Sequence, residues 1–413
     1  MATLFAVALV VLAAVPAALI HFLGLPAPVE VATLCYGLGI VGASFAMAWG
    51  AEAAEHDIPR ALALTVVALL AVFPEYAVDI VFAVKAGQDP TFAPYAAANM
   101  TGSNRLLLGL GWPTVAVLAW LARGHREIKL DRDAGLPLAF LAVATIYSFS
   151  LPLRANIGLF DSVVLIALFC AYAFLASREA TEEPDLVGPA RVIGELPNTS
   201  RRLVVLGLFA FAAFVIGTSA EPFAEGLVHT GQKLGIDEFL LVQWLAPLAS
   251  ESPEFLIAAL LAMRGKAAAS LGLLLSAKVN QWTLLVGSLP IAFSVGAGHP
   301  AALPLDSRQV GEVLLTASQS LFGVAVLASL VFTLGEALLL AGLFLAQLII
   351  GGFLRAGLHN AQGGEAELFA FSAIYVLISL VFFARARKVL VDAWRQARAR
   401  GSEPAVVRSH DLA

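Results

Sequence analysis

Twelve apolar runs, each near 20 residues long, limit what this chain can fold into. They lie near 3–23, 33–55, 60–86, 93–122, 135–152, 158–177, 202–228, 237–264, 268–296, 311–333, 335–355 and 367–387. A helix needs about 20 residues to cross roughly 30 Å of hydrocarbon. In that medium every backbone donor and acceptor must be satisfied internally, so runs of this length fold as spanning helices. Charged residues make up 13% of the chain, against about 25% in soluble domains, which leaves the runs no polar face to turn to water. The sequence therefore predicts an all-α polytopic membrane protein embedded in a lipid bilayer.

Several other classes are set aside on simple grounds. The first run is too long for the apolar part of a signal peptide and has no basic leader, so it is expected to remain as a helix. Cys35 and Cys170 both fall inside apolar runs, which predicts helix-packed thiols rather than a disulfide. No basic stretch is interleaved with aromatics, so nucleic acid is not an expected partner. No H-E-x-x-H, G-x-S-x-G or catalytic cysteine constellation is present, so the chain reads as a non-enzyme with no cofactor beyond a transported ion.

Loop charge orients the runs. Arg123, Arg126, Lys129 and Arg132 follow the fourth run; Arg178, Arg191, Arg201 and Arg202 lie in the middle linker; Arg264 and Lys266 follow the eighth. With the N-terminus in the cytoplasm these all fall inside, whereas the outer loops hold few cations, Lys85, Arg154, Lys233 and Arg308 among them. That asymmetry is the one short loops show, and it predicts an integral protein of the plasma (inner) membrane with both termini cytoplasmic. The fourth run is expected to bend at Pro113 without splitting in two.

Two stretches carry the chemistry. AVFPEYAVDIVFAVKAGQDPTFAPYAAANMTGSN (71–104) and ASESPEFLIAALLAMRGKAAASLGLLLSAKVN (249–280) share one order: Pro-Glu-aromatic, an apolar run, a basic-glycine turn, and a polar segment ending in Asn. The first Pro-Glu lies on the third run and the second on the eighth. An offset of five spans is odd, so the copies are inverted, the arrangement of secondary transporters with a midplane site between repeats. The predicted layout is an extra N-terminal helix in 1–32, a first half in 33–177, a cytoplasmic linker in 178–201, a second half in 202–356, and an extra helix with a basic tail in 357–413.

Proline cannot donate to the carbonyl four residues back, so Pro74 and Pro253 free the carbonyls of Leu70 and Ala249. Beside each stands a glutamate, and carboxylate plus carbonyl oxygens suit a hard cation such as Ca²⁺, which takes about 6–8 oxygens. The bland alternative is a kink whose glutamate bonds a neighbouring helix; two inverted copies favour the ion site. Glu75 and Glu254 are the expected metal ligands. Asp79, one turn after Glu75, and Glu251 are further acids that bind the ion, carry a proton or pair with a cation. Asn99, Thr101, Ser103 and Asn104 supply neutral oxygens, as do Ser276 and Asn280 in the second copy. Arg105 and Lys278 lie too deep to reach water and are expected to modulate the site's charge, either by neutralising an acid permanently or, for Lys278, by standing in for a coupling ion or titrating. Glu221, before Pro222, is the acid of the long seventh run most expected to meet a permeation path. Trp49, Trp112, Trp244 and Trp282 are expected packing or interface anchors.

Together these motifs resemble the repeats of the cation/Ca²⁺ exchanger superfamily, the sodium/calcium exchangers and their relatives, which read G-T-S-x-P-E and, one helix later, G-N-x-x-G-S-N. The matching residues are Phe73-Pro74-Glu75 with Ala98-Asn99-Met100-Thr101-Gly102-Ser103-Asn104, and Ser252-Pro253-Glu254 with a degenerate Ala277-Lys278-Val279-Asn280. The segment LDSRQVGEVLLTASQSL (305–321) is similar as well. The resemblance implies two inverted five-helix halves, paired glutamates in a cation site, and alternating access by sliding of the helices near 33–55 and 202–228. Departures matter: Ala71 and Val72, and Ser250 and Glu251, stand where the family has Thr-Ser, and Lys278 replaces a glycine, which weakens the case for sodium coupling. The leading expectation is a cation antiporter exchanging Ca²⁺ or a related cation for Na⁺ or H⁺. Its alternatives are a sodium/proton antiporter using Lys278 as a fixed or titrating charge, and a non-transporting scaffold or sensor on the same fold. Small inorganic cations and lipid are the expected partners, and the sequence leaves the oligomeric state open.

Overall fold

A computed structural model describes residues 2–54, 57, 73–178, 186, 188–358 and 361–401 of the chain. Glu55, His56, Arg60, Leu70, Ala71 and Val72 lie outside the described residues, so the expected opening of the Leu70 carbonyl does too. The elements are almost all helical. α1 (Ala2–Leu23) precedes a first half of α2 (Val29–Ala54), α3 (Phe73–Gln88), α4 (Ala93–Leu106) continuing through a π-helical turn into α5 (Trp112–Arg123), α6 (Gly135–Ser148) with the short α7 (Ser150–Arg154), and α8 (Leu159–Ala176). After the short α9 (Pro189–Gly194) comes a second half: α10 (Asn198–Leu234), α11 (Glu238–Met263), α12 (Ala267–Asn280) continuing through another π-helical turn into α13 (Val286–Ala297), α14 (Ser307–Leu327) and α15 (Leu334–Leu358). α16 (Ala361–Gly401) closes the described chain. Ten stretches among the described residues are long and apolar enough to span a membrane, and large apolar side chains such as Leu12, Ile146, Leu153, Val163, Val295 and Ile349 point outward, as lipid-facing surface does.

The parity of the spans is tested by which loops meet. Strand β1 (Glu127–Lys129), after the fourth span, pairs antiparallel with β4 (Val331–Thr333), after the tenth. At the other end β2 (Asn156–Ile157) pairs with β3 (Leu303–Pro304). Lys233 bridges to Glu30 at 2.8 Å and Arg201 to Asp57 at 2.8 Å. Every one of these contacts joins loops that an alternating twelve-span count puts on the same side. Splitting the fourth span in two would have broken the Lys233 and Arg201 contacts, because their partners lie on either side of it in the chain.

The bend expected at Pro113 takes another form. A π-helical turn at Leu107–Gly111 precedes it, and Pro113 sits in the first turn of α5, where its missing N–H costs little. The second half repeats the device at Gln281–Leu285. Each π turn begins within three residues of the repeat's closing Asn, and such turns gather at functional sites.

Small residues set the closest approaches. α2 and α10 lie along one another, with Gly37 against the Phe223 ring, Gly39 against Val215 and Ser219, Gly50 against Phe209, and Gly226 against Thr33. α1 rests on α2 where Gly42 meets the Val10 carbonyl, and α16 rests on α14 where Gly311 meets Leu368. Gly102 of α4 abuts the Gln243 carbonyl of α11, and any Cβ there would collide with it. That carbonyl is the one Pro247 leaves without its helical donor, so the two helices cross where one backbone is open and the other has no side chain.

Candidate functional site

The site is built where α3 and α4 of the first half meet α11, α12 and the second π turn. α3 begins at the Phe73-Pro74-Glu75 step and presents Glu75 (2% exposed) and Asp79 (0%) one turn apart on its buried face. α11 carries Glu251 (1% exposed) and the half-buried Glu254 around Pro253. α4 supplies Asn99, Ser103 and Asn104, all fully buried, and α12 supplies Lys278 and Asn280.

The two halves interlock through polar contacts that cross between them. The Gln281 amide donates to Glu75 Oε2 at 3.4 Å, and the Tyr76 hydroxyl donates to Asn280 Oδ1 at 3.0 Å. The Lys278 ammonium of the second half also donates to the first, to the Asn104 carbonyl at 3.0 Å and to Asn104 Oδ1 at 2.6 Å. The acids feel one another's charge: Glu75 those of Asp79 and Glu254, and Glu251 those of Glu75, Glu254 and Asp79. Ser103 faces Glu75 and Asn99 faces Asp79, near enough to act on the carboxylates, yet neither completes a well-formed hydrogen bond.

What remains is a set of buried oxygens without donors: Glu75 Oε1, both oxygens of Asp79, both of Glu251, Glu254 Oε2, Asn99 Oδ1 and Gln281 Oε1. Burying a carboxylate away from water without a partner costs several kcal/mol even after the surroundings relax, so such groups are paired or neutralised. Among the described residues no three His, Cys, Asp or Glu side chains close into a metal cage of their own. The donors are instead a mixture of carboxylates and amides drawn from both halves.

Some expected residues sit elsewhere. The Ala249 carbonyl, opened by Pro253, is taken locally by the Ser252 hydroxyl at 3.2 Å. The Ser250 hydroxyl is turned to its own helix, donating to Ala246 and Pro247 carbonyls. Thr101 likewise donates to the carbonyl of Ala97. Ser276 accepts from the Tyr172 hydroxyl of α8 at 3.1 Å and joins none of the hydrogen bonds of the acid cluster. Glu221, expected on a permeation path, is paired with Lys85 at 2.6 Å, and Glu225 shares that ammonium at 2.7 Å, tying α10 to the end of α3. Trp112 and Trp282 are fully buried and serve packing rather than an interface.

Arg105 meets none of the predicted acids. Its guanidinium is paired with Glu312 of α14, hydrogen-bonded to Gln347 of α15 and stacked 5.2 Å from the Trp244 ring. Gln243 donates to the same Glu312 at 2.9 Å. Glu312, Gln243, Gln347, Tyr76 and Gln281 were all missed in the sequence. Gln281 directly follows the repeat's closing Asn280 and Tyr76 directly follows Glu75, so adjacency was the available signal; Glu312 lies within the 305–321 segment already noted for its similarity.

Comparison with known proteins agrees with this architecture. The chain matches the sodium/calcium exchanger protein family over residues 30–178 and 204–352, one stretch in each half. It is 43% identical to the H+/Ca2+ exchanger CAX, whose crystal structure aligns over 96% of this chain and 98% of that one with a TM-score of 0.88. The Ca2+/H+ antiporter protein YfkE, at 17% identity, aligns over 85% of this chain and 99% of its own with a TM-score of 0.62. The sodium-calcium exchanger NCX_Mj, also at 17%, aligns over 78% and 98% with a TM-score of 0.52. At that identity the last two speak for the fold alone. A comparison with curated protein sequences returned no match. The fold is thus that of the cation/Ca²⁺ exchangers, two inverted five-helix halves with a further helix at each end. This chain is an integral membrane protein and belongs to the sodium/calcium exchanger protein family.

Proposed function

We propose that the chain is a secondary active antiporter that exchanges Ca²⁺, or a related cation, for H⁺ or Na⁺ by alternating access. The observation that carries this reading is the buried set of unpartnered carboxylate oxygens contributed by both halves. Glu75 and Glu254 are the central ligands, with Asp79, Glu251, Asn99 and Ser103 around them. Asn104 and Asn280 act at one remove, because their side-chain oxygens hold Lys278 and Tyr76.

The chemistry needs no more than competition for shared oxygens. A divalent cation neutralises the acids on one leg of the cycle and the counter-cation neutralises them on the other. The site changes sides only when its charge is covered, since bare charge is costly in hydrocarbon. The close, glycine-lined contact of α2 with α10 suits the sliding that alternating access requires. Proton coupling is favoured over sodium coupling by two points. The likeness at 43% identity is to an H+/Ca2+ exchanger, and the hydroxyls at 250 and 252 are spent on their own helix. The cation asymmetry of the loops orients the protein with both termini in the cytoplasm of a plasma membrane.

Reconstituted in vesicles, the protein should take up Ca²⁺ when driven by an outward-directed proton gradient in sodium-free buffer. Glu75→Gln and Glu254→Gln should each abolish that uptake while leaving the protein folded. Ca²⁺ flux only in the presence of sodium would replace the proton with sodium. Proton-coupled sodium flux without Ca²⁺ flux would favour the sodium/proton reading. No flux, with unchanged melting in Ca²⁺, would leave a scaffold or sensor.

A further inference from the structure

Aligning the repeats on their Pro-Glu steps places Val72 opposite Glu251, and aligning them on the closing Asn places Gly102 opposite Lys278. The second half therefore carries one extra acid and one extra base, where the first half has an apolar residue and no side chain. Lys278 is fully buried, so its ammonium cannot reach water along its own stem. It is held by two neutral oxygens of Asn104 and lies 4.9 Å from the centre of the Trp282 indole. Among the described residues no carboxylate comes within salt-bridge distance of it. Its electrostatic attraction is to Glu251 first and Glu75 second. Glu251, in turn, is 1% exposed and has no partner on either oxygen.

We infer that the Lys278 ammonium is a tethered monovalent cation that offsets the charge of Glu251, so that removing it opens a binding site for a free small monovalent cation at the Asn104 oxygens. Its surroundings are those of such an ion: a backbone carbonyl, an amide oxygen, an aromatic face and carboxylates at a distance, all away from water. A lysine acting only as a hydrogen-bond donor between α12 and α4 would not need a compensating acid. Arg105 has its own carboxylate partner in Glu312 and a hydrogen bond to Gln347, so its charge is matched apart from the site. The cluster of four carboxylates thus has one positive charge nearby, which acts on Glu251 and Glu75. The inference rests on the antiporter reading for its consequence, which is that the wild-type site has no place for a free monovalent coupling ion beside its substrate.

The experiment uses the full chain in detergent and in vesicles, with sodium and methylammonium as probes. Wild-type Ca²⁺ uptake and melting should be indifferent to both. Lys278→Ala should lower uptake by at least about tenfold, as expected of a buried carboxylate left uncompensated. Sodium or methylammonium should restore that uptake and raise the variant's melting temperature. Glu251→Gln combined with Lys278→Ala should melt at the same temperature with and without either ion. Unimpaired uptake in Lys278→Ala would overturn the inference, as would a loss of uptake that neither probe repairs or a drop in melting temperature that Glu251→Gln does not reverse. If Lys278→Ala fails to fold, the double variant should fold; its failure too would make Lys278 a scaffold donor only and overturn the inference. Should the wild type carry no Ca²⁺ at all, the antiporter reading falls. The melting shifts of Lys278→Ala in sodium and methylammonium then decide the inference on their own.

Discussion

Arg105 and Lys278 are both cations buried near the closing Asn of a repeat, and they are held in opposite ways. Arg105 has a full carboxylate partner in Glu312 together with Gln347 and the Trp244 ring. Lys278 has only the oxygens of Asn104 and the face of Trp282, while its nearest acids stand beyond bonding distance. The guanidinium's planar fork reaches two partners at once, so an arginine can be made a closed unit inside a bundle. A lone ammonium leaves its charge to act across space. The first arrangement holds α4 to α14 and α15; the second leaves positive potential beside the acids.

The sharpest way to break that contrast is to remove the arginine. Arg105→Met should destabilise the protein by about 3–5 kcal/mol, because it takes the cation from a buried Glu312. Adding Glu312→Gln should recover part of the loss in thermal unfolding. Recovery of transport by sodium or methylammonium in Arg105→Met would erase the difference between the two cations.

Gly102, the residue opposite Lys278 in the repeat order, sharpens the same comparison at lower cost. Gly102→Ala drives a Cβ into the Gln243 carbonyl and should cost about 1–3 kcal/mol. Gly272→Ala, with open space around it on α12, should be neutral or stabilise by up to about 1 kcal/mol. Equal melting temperatures for the two variants would remove the close crossing of α4 and α11 from the account.

The smallest effect is expected at Asp57, where one of the two cations, Arg202, stays exposed. Arg201 and Arg202 both bond Asp57, and the Arg201 hydrogen bond, with that of Arg202 behind it, holds the Asp57 carboxyl well below its ordinary value of 3.8 despite partial burial. A lowered folded value means the stabilisation is present above that ordinary value and fades as pH falls below it toward the folded one. Asp57→Asn should therefore cost about 0.2–1 kcal/mol at neutral pH. The difference from wild type should shrink in strongly acidic buffer, and a gap that widens there would reverse the sign.

Much of this was legible along the chain. Span length and charge poverty identify a membrane bundle, because hydrocarbon admits few backbone solutions. The odd offset between the Pro-Glu steps, counted in spans, establishes the inversion. Glu75, Asp79, Glu251, Asn99 and Ser103 were readable as polar groups inside apolar runs, and the structure buries all five. Partners across the bundle were not readable: Glu312 for Arg105, Asn104 for Lys278 and Lys85 for Glu221 lie between 136 and 207 residues from their mates. The fate of freed carbonyls was equally hidden, as Ser252 closes that of Ala249 while Gly102 covers that of Gln243.

The sequence by itself determined that the chain spans a bilayer, that its halves are inverted copies, and that Glu75, Asp79 and Glu251 lie within it. These follow from periodicity, length and the cost of charge in hydrocarbon, all of which act locally. Only the tertiary structure decided which cation is neutralised and which stays free to act. That depends on whether a carboxylate from a distant helix arrives within bonding distance, and Coulomb attraction between buried groups varies too steeply with separation for position along the chain to reveal it.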